Sequence, residues 1–80
     1  MAVLRLFAAA RVAAGTGRDT IGGSTVGEVI EAARQRYGDG FAEVAERCAV
    51  WRNGESAELG DPVAADDEVA LLPPVSGGMR

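Results

Sequence analysis

Apolar residues recur along this chain with two different periods, and the switches between them outline a fold. From Ala2 to Ala8 the period is two. Leu4 and Leu6 fall on one side and Val3, Arg5 and Phe7 on the other, which predicts a strand. Ala8–Ala14 is built of small residues and followed by Gly15 and Gly17, consistent with a short helical turn and a loop. A second strand is expected over Arg18–Ile21, closed by Gly22-Gly23. At Thr25 the period lengthens to that of a helix, with Val26, Val29, Ile30, Ala33 and Tyr37 on one stripe. Thr25 and Glu28 have capping-box spacing, and Gly38 supplies a left-handed stop. Gly27 weakens this helix by propensity, less so because it lies in the first turn.

Asp39 is expected to cap a second, shorter helix whose apolar members are Phe41, Val44, Ala45 and Cys48, with Glu43, Glu46 and Arg47 toward solvent. Ala49–Arg52 then reads as a strand entering a tight turn at Asn53-Gly54, the strongest short hairpin signal. Asp61-Pro62 marks another turn, and Asp66-Asp67-Glu68 leads into a final strand, Val69–Leu72. The order strand, strand, long helix, strand, short strand, strand describes an α+β protein of two layers: a mixed sheet of four to five strands crossed by one main helix. The expected boundaries are a single domain over residues 1–72 and an extended tail over 73–80.

Composition narrows the chemistry. The 80 residues are 48% hydrophobic with few aromatics, so the core is one of Val, Leu, Ile and Ala. The net charge of −4 opposes nonspecific binding to nucleic acid or to anionic lipid, and no apolar run reaches membrane-spanning length. All eight cations are arginine, so the chain offers no side-chain amine for a Schiff base or an isopeptide bond. With no histidine, the commonest general base and His-containing zinc sites are gone. No catalytic residue and no metal ligand set is therefore assigned. Cys48, the single cysteine, reads as a small core residue and suits a reducing, cytoplasmic setting. Trp51 reads as core or as a lid over the sheet edge, and the three adjacent carboxylates as a solvated turn. Phe7, a large apolar group beside an arginine, fits a partly buried sheet aromatic or a partner contact.

The C-terminal stretch Pro73-Pro74-Val75-Ser76-Gly77-Gly78 carries the most information. Proline cannot continue a sheet ladder and favours an extended run, while paired glycines permit close approach of another backbone. At roughly 3.3 Å per residue, Pro73 to Gly78 can reach about 20 Å from the body, deep enough to enter a partner's active site.

Taken with the strand order, Asp67-Glu68-Val69-Ala70-Leu71-Leu72-Pro73-Pro74-Val75-Ser76-Gly77-Gly78 resembles the end of the MoaD/ThiS family of ubiquitin-like sulfur carriers, and more closely its MoaD branch. Leu6-Phe7-Ala8 with Arg11, Gly15-Thr16, Thr25-Val26 and Asn53-Gly54 support the likeness. It implies a β-grasp fold and a carrier that is not itself an enzyme. An E1-like enzyme adenylates the terminal glycine carboxylate with ATP, a sulfurtransferase supplies sulfur to form a thiocarboxylate, and an acceptor such as the large subunit of molybdopterin synthase receives it. On this chain the activated residue is Gly78, the inserting tail is Pro73, Pro74, Val75, Ser76 and Gly77, and the partner interface includes Phe7 and Leu72. ATP is used by the partner, and the chain binds no cofactor of its own. Molybdopterin biosynthesis is the expected pathway. Carriers for thiamine, cysteine or a specialised thio-metabolite share the chemistry, and a ubiquitin-like modifier attached through Gly78 is a different class of reading.

Three features depart from the family pattern. Met79-Arg80 follows Gly78, so a peptidase, expected to be a metallopeptidase, must free the glycine carboxylate. Asp66 stands where relatives often have glycine, and Arg52 where an aliphatic residue is common, which leaves the facing of that strand open.

Overall fold

The computed structural model describes residues 1–73. In chain order they form β1 (Ala2–Leu6), α1 (Ala8–Ala14), β2 (Arg18–Ile21), α2 (Val26–Tyr37), α3 (Asp39–Arg47), β3 (Ala49–Arg52), β4 (Glu55–Ser56) and β5 (Glu68–Leu72). The strands make one mixed sheet in the order β2-β1-β5-β3-β4. The pairing of β1 with β5 is parallel, and the other three pairings are antiparallel. The last strand in sequence thus lies in the middle of the sheet, hydrogen-bonded on both sides.

Strict alternation sends Ala2, Leu4 and Leu6 of β1, Ile21 of β2 and Val69 and Leu71 of β5 to one face. There they meet Ala10 of α1, the Val26, Val29, Ile30 and Ala33 stripe of α2, and Phe41 and Ala45 of α3. Phe41 has no exposed surface and packs its ring 5.2 Å, centroid to centroid, from Tyr37. The core is as aliphatic as the composition requires.

Helix boundaries show where tertiary context outweighs local signals. Thr25 Oγ1 accepts the Glu28 N–H at 3.1 Å, as a capping box demands, but the Glu28 carboxylate reaches back to the N–H of Ser24 at 2.7 Å rather than to that of Thr25. Gly27 donates its N–H to the Leu59 carbonyl at 2.8 Å, and a Cβ there would lie 3.1 Å from that same oxygen. The glycine that looked unfavourable by propensity lets the 59–63 loop lie against the start of α2. Gly38 ends α2 as expected, but at φ +94, ψ −172 it is not left-handed helical. It serves as the N-cap of α3 as well, and Asp39 becomes the first helical residue instead of the cap. There its charge still favours the helix N-terminus.

Two polar clusters tie the layers together. Tyr37 Oη and Arg36 Nη1, at the end of α2, both donate to the Asp19 carboxylate of β2. Those two bonds hold the Asp19 carboxyl below its ordinary value, while burial and the nearby carboxylate push the Tyr37 hydroxyl up. In the β3–β4 hairpin, Asn53 and Gly54 both have positive φ, as a type I′ turn requires. Asn53 also braces β5, accepting the Glu68 N–H at 2.9 Å and donating Nδ2 to Asp67 at 3.0 Å. Arg52 is opposite Val69 on the helix side of the sheet, its guanidinium on the Pro62 carbonyl at 3.0 Å and near Asp67. That settles the facing of β3: Val50 and Arg52 on the helix side, Trp51 away from it.

Candidate functional site

The opposite face of the sheet carries no helix among the described residues. Register places Arg18, Arg5, Ala70 and Trp51 in one row across β2, β1, β5 and β3. Ala70 is the small member, and the row dips there. Phe7, Trp51 and Leu72 stand around the dip and enclose a trough of about 220 Å³. Phe7 is 36% and Trp51 37% exposed, unusual for large aromatics in a chain that has so few. The Arg5 guanidinium lies 5.6 Å from the Phe7 ring centroid and 2.8 Å from a Glu68 carboxylate oxygen, so it steadies the ring from one side.

Phe7 reaches this face by a route slightly different from the one expected. The strand stops at Leu6, and Phe7 is the N-cap of α1, still extended at φ −130, ψ 156, so the alternation that points it away from the core survives. The next residue, Ala8, has φ +52, an uncommon conformation for a residue with a Cβ. The chain turns into α1 there while Phe7 keeps its outward position. On its other side Phe7 borders a second apolar hollow of about 200 Å³, shared with Ala8 and Ala10 of α1, Val44 and Cys48 near the end of α3, and Pro73.

Of the residues singled out from sequence, Phe7, Leu72 and Pro73 come together. Leu72 is half-buried at the end of β5, opposite Ala49, and Pro73 follows it exposed beside Phe7. Pro74, Val75, Ser76, Gly77 and Gly78, with Met79-Arg80, lie outside the described residues. Trp51 is the residue that sequence reading missed, having been assigned to the core or to an edge lid. The signal was the Asn53-Gly54 turn: a two-residue loop pairs Arg52 with Glu55, and Trp51, one step back and paired with Ser56, then faces opposite to Val50.

The remaining reactive groups are occupied structurally. Cys48 donates to the Val44 carbonyl at 3.4 Å, and burial pushes its thiol up, away from the thiolate a nucleophile needs. Asp67 takes the Ala64 N–H on one oxygen and the Asn53 amide on the other, which holds its carboxyl down. No helix among the described residues is long and apolar enough to cross a membrane.

Comparison with known proteins places these features in a group. The model of the ThiS family matches residues 4–78. The chain is 43% identical over 68 residues to small archaeal modifier protein 1 of Haloferax volcanii, covering 75% of this chain and 77% of the relative. The solution structure of small archaeal modifier protein 1 from Methanosarcina acetivorans superposes with a TM-score of 0.85 at 26% identity, covering 96% of this chain and 95% of that one. A chain of the complex of subunits 1 and 2 of the molybdopterin-converting factor from Helicobacter pylori superposes with a TM-score of 0.69 at 27% identity, over 96% of this chain and 97% of that chain. The mixed sheet with its main helix is the ubiquitin-like β-grasp fold.

Proposed function

The chain belongs to the ThiS family of small ubiquitin-like carriers and modifiers, and from that premise we propose that it is a sulfur carrier acting through Gly78. An E1-like enzyme adenylates the Gly78 carboxylate with ATP, releasing pyrophosphate, and sulfur delivered by a sulfurtransferase, reduced to the sulfide level by a thiol, then displaces AMP to leave a thiocarboxylate. A carboxylate is a poor electrophile, so the leaving group has to come from ATP, and the thiocarboxylate sulfur is afterwards a good nucleophile toward a substrate carbon. Met79-Arg80 is removed first by a peptidase, since an amide-linked glycine has no carboxylate to activate. The chain contributes delivery and recognition, and the partners contribute the catalysis.

The observation that carries this reading is that the central strand, β5, ends at Leu72, which borders one apolar hollow with Phe7, and is followed by an exposed Pro73, which borders the other with Phe7. A partner seated on Phe7, Trp51 and Leu72 is positioned to receive the tail that starts there. Molybdopterin synthesis is the favoured destination of the sulfur, supported by the Pro73-Pro74-Val75 approach to the diglycine and by the likeness to the converting-factor subunit. The test is ATP–pyrophosphate exchange with E1-like enzymes, followed by intact mass after sulfur transfer. A form ending at Gly78 is expected to support exchange and to gain the mass of sulfur replacing one oxygen, whereas the form that keeps Met79-Arg80 does neither. Absence of exchange by the trimmed form with any such enzyme would sink the carrier reading.

The identity to a protein named a modifier favours a second reading, in which Gly78 is joined to lysines of target proteins. Higher-mass conjugates that disappear when Gly78 is deleted would establish it. The absence of lysine from this sequence restricts such conjugates to single attachment rather than lysine-linked chains.

A further inference from the structure

Beside the trough, on the β2 edge of the sheet, lies a cleft of about 380 Å³ lined by Arg5, Leu6, Phe7, Arg11, Thr16, Gly17 and Arg18. We propose that this cleft is a docking site for an acidic segment of a partner protein, one that sets a carboxylate among Arg5, Arg11 and Arg18 while an adjacent apolar side chain rests on Phe7.

Three observations carry it. Arg5 and Arg18 are direct cross-strand partners in an antiparallel pair, an arrangement in which like charges destabilise a sheet. Arg11, from α1, comes to the same place. Its side chain lies over Gly17, so closely that a Cβ on Gly17 would sit 3.3 Å from Nε. Finally, the chain holds twelve acidic residues, yet none lines this cleft, and among the described residues neither Arg11 nor Arg18 makes an ion pair. Asp19, the neighbour of Arg18, is turned to the other face and committed to Tyr37 and Arg36. Arg5 alone has a carboxylate, Glu68, on the side away from the cleft.

A cluster of like charge in which only Arg5 is compensated costs stability, and a counter-charge from outside balances Arg11 and Arg18. Guanidinium forks suit carboxylates in bidentate geometry. A protein segment fits better than a free anion because the cleft is walled by the exposed ring of Phe7, surface that an apolar side chain next to the carboxylate can cover and a free anion cannot. The proposal stands whether or not Gly78 ever carries sulfur, since it concerns the body and not the tail.

The test uses the isotope-labelled full chain with three probes: a short peptide alternating glutamate and leucine, its glutamine–leucine counterpart, and pyrophosphate. The glutamate peptide is expected to shift the amides of Phe7, Arg11, Thr16, Gly17 and Arg18 saturably. Arg11→Glu with Arg18→Glu is expected to weaken it roughly tenfold at low salt, as does raising the salt. Arg34→Glu, on α2 and away from the cleft and from both hollows beside Phe7, is expected to leave binding unchanged. The double variant should melt no lower than the parent, because it removes the Arg5–Arg18 repulsion. A lower melting temperature would show that these arginines serve the fold, and the proposal falls. It falls equally if the glutamine peptide shifts the same amides as strongly, if the glutamate peptide shifts none of them, or if charge reversal leaves binding intact. Pyrophosphate binding in the cleft without peptide binding would assign it to a free anion and overturn the segment reading.

Discussion

Phe7 and Phe41 are the only two phenylalanines of the chain, and truncating each to alanine separates recognition from folding. Phe41, on α3, is fully buried in the core beside Tyr37, so Phe41→Ala leaves a cavity and costs about 3–5 kcal/mol, a large share of what a domain of this size possesses. Phe7 is 36% exposed, its ring resting on Arg5 and between two hollows open to solvent that water can refill. Phe7→Ala is therefore expected to cost only about 1 kcal/mol, equivalent to a melting shift of roughly 4–8 °C. In a complex the balance reverses. A phenylalanine presents about 200 Å², so the exposed third is about 70 Å², worth about 1.8 kcal/mol when a partner covers it, or roughly 20-fold in Kd. The assay is paired: thermal melting of both variants, and titration of each folded variant against the E1-like enzyme that activates the parent. Phe7→Ala should melt no more than about 8 °C below the parent yet bind roughly 20-fold more weakly. Unchanged binding, or a loss of stability matching that of Phe41→Ala, would refute the assignment of Phe7 to the interface.

The depressed carboxyls of Asp19 and Asp67 stabilise the fold fully above their ordinary range, near 3.8, and the contribution is lost as the pH falls through their lower folded values. Urea unfolding at about pH 7 and about pH 3 should show that loss, and Tyr37→Phe, which removes the first of the bonds to Asp19, should make it smaller. Gly23→Ala should destabilise by about 2 kcal/mol or more, measured by chemical denaturation, because a Cβ there would lie 2.8 Å from the Val29 backbone nitrogen. Trp51 fluorescence should shift to shorter wavelength when the E1-like partner binds, and an unchanged spectrum in the complex would remove Trp51 from the interface. Amide exchange should be slowest in β1 and β5 and orders of magnitude faster in β4, a two-residue exposed edge strand.

Much of this architecture is legible in the chain because local and long-range preferences agree. The alternation in β1 and β5, the α2 stripe and the Asn53-Gly54 turn each place their residues as the pattern implies. What the sequence conceals depends on contacts between distant segments. Nothing local announces that Gly27 must admit the Leu59 carbonyl, or that Gly38 would serve two helices and displace Asp39 from the cap. Of the candidate site, the pattern singled out Phe7 without choosing between a sheet aromatic and a partner contact, and Leu72 came from the family resemblance, whereas the outward face of Trp51 became readable only once the hairpin register was known. The Arg5–Arg18 pairing was hidden for the same reason, since it exists only after β1 and β2 choose their register.

The position of β5 connects these elements to the proposed role. A tail drawn into another protein exerts its pull on the strand that precedes it, and an edge strand could be peeled away one hydrogen-bonded pair at a time. β5 is instead held by β1 on one side and β3 on the other, and Val69 and Leu71 are fully buried between them and the helices. Removing it would expose the core and break two ladders together, so the free energy needed approaches that of unfolding the whole body. Under the proposed role, a partner can work on the chain beyond Pro73 while the face around Ala70 and Leu72, built on the same strand, keeps its shape. A central last strand makes a rigid recognition surface compatible with a deliverable end.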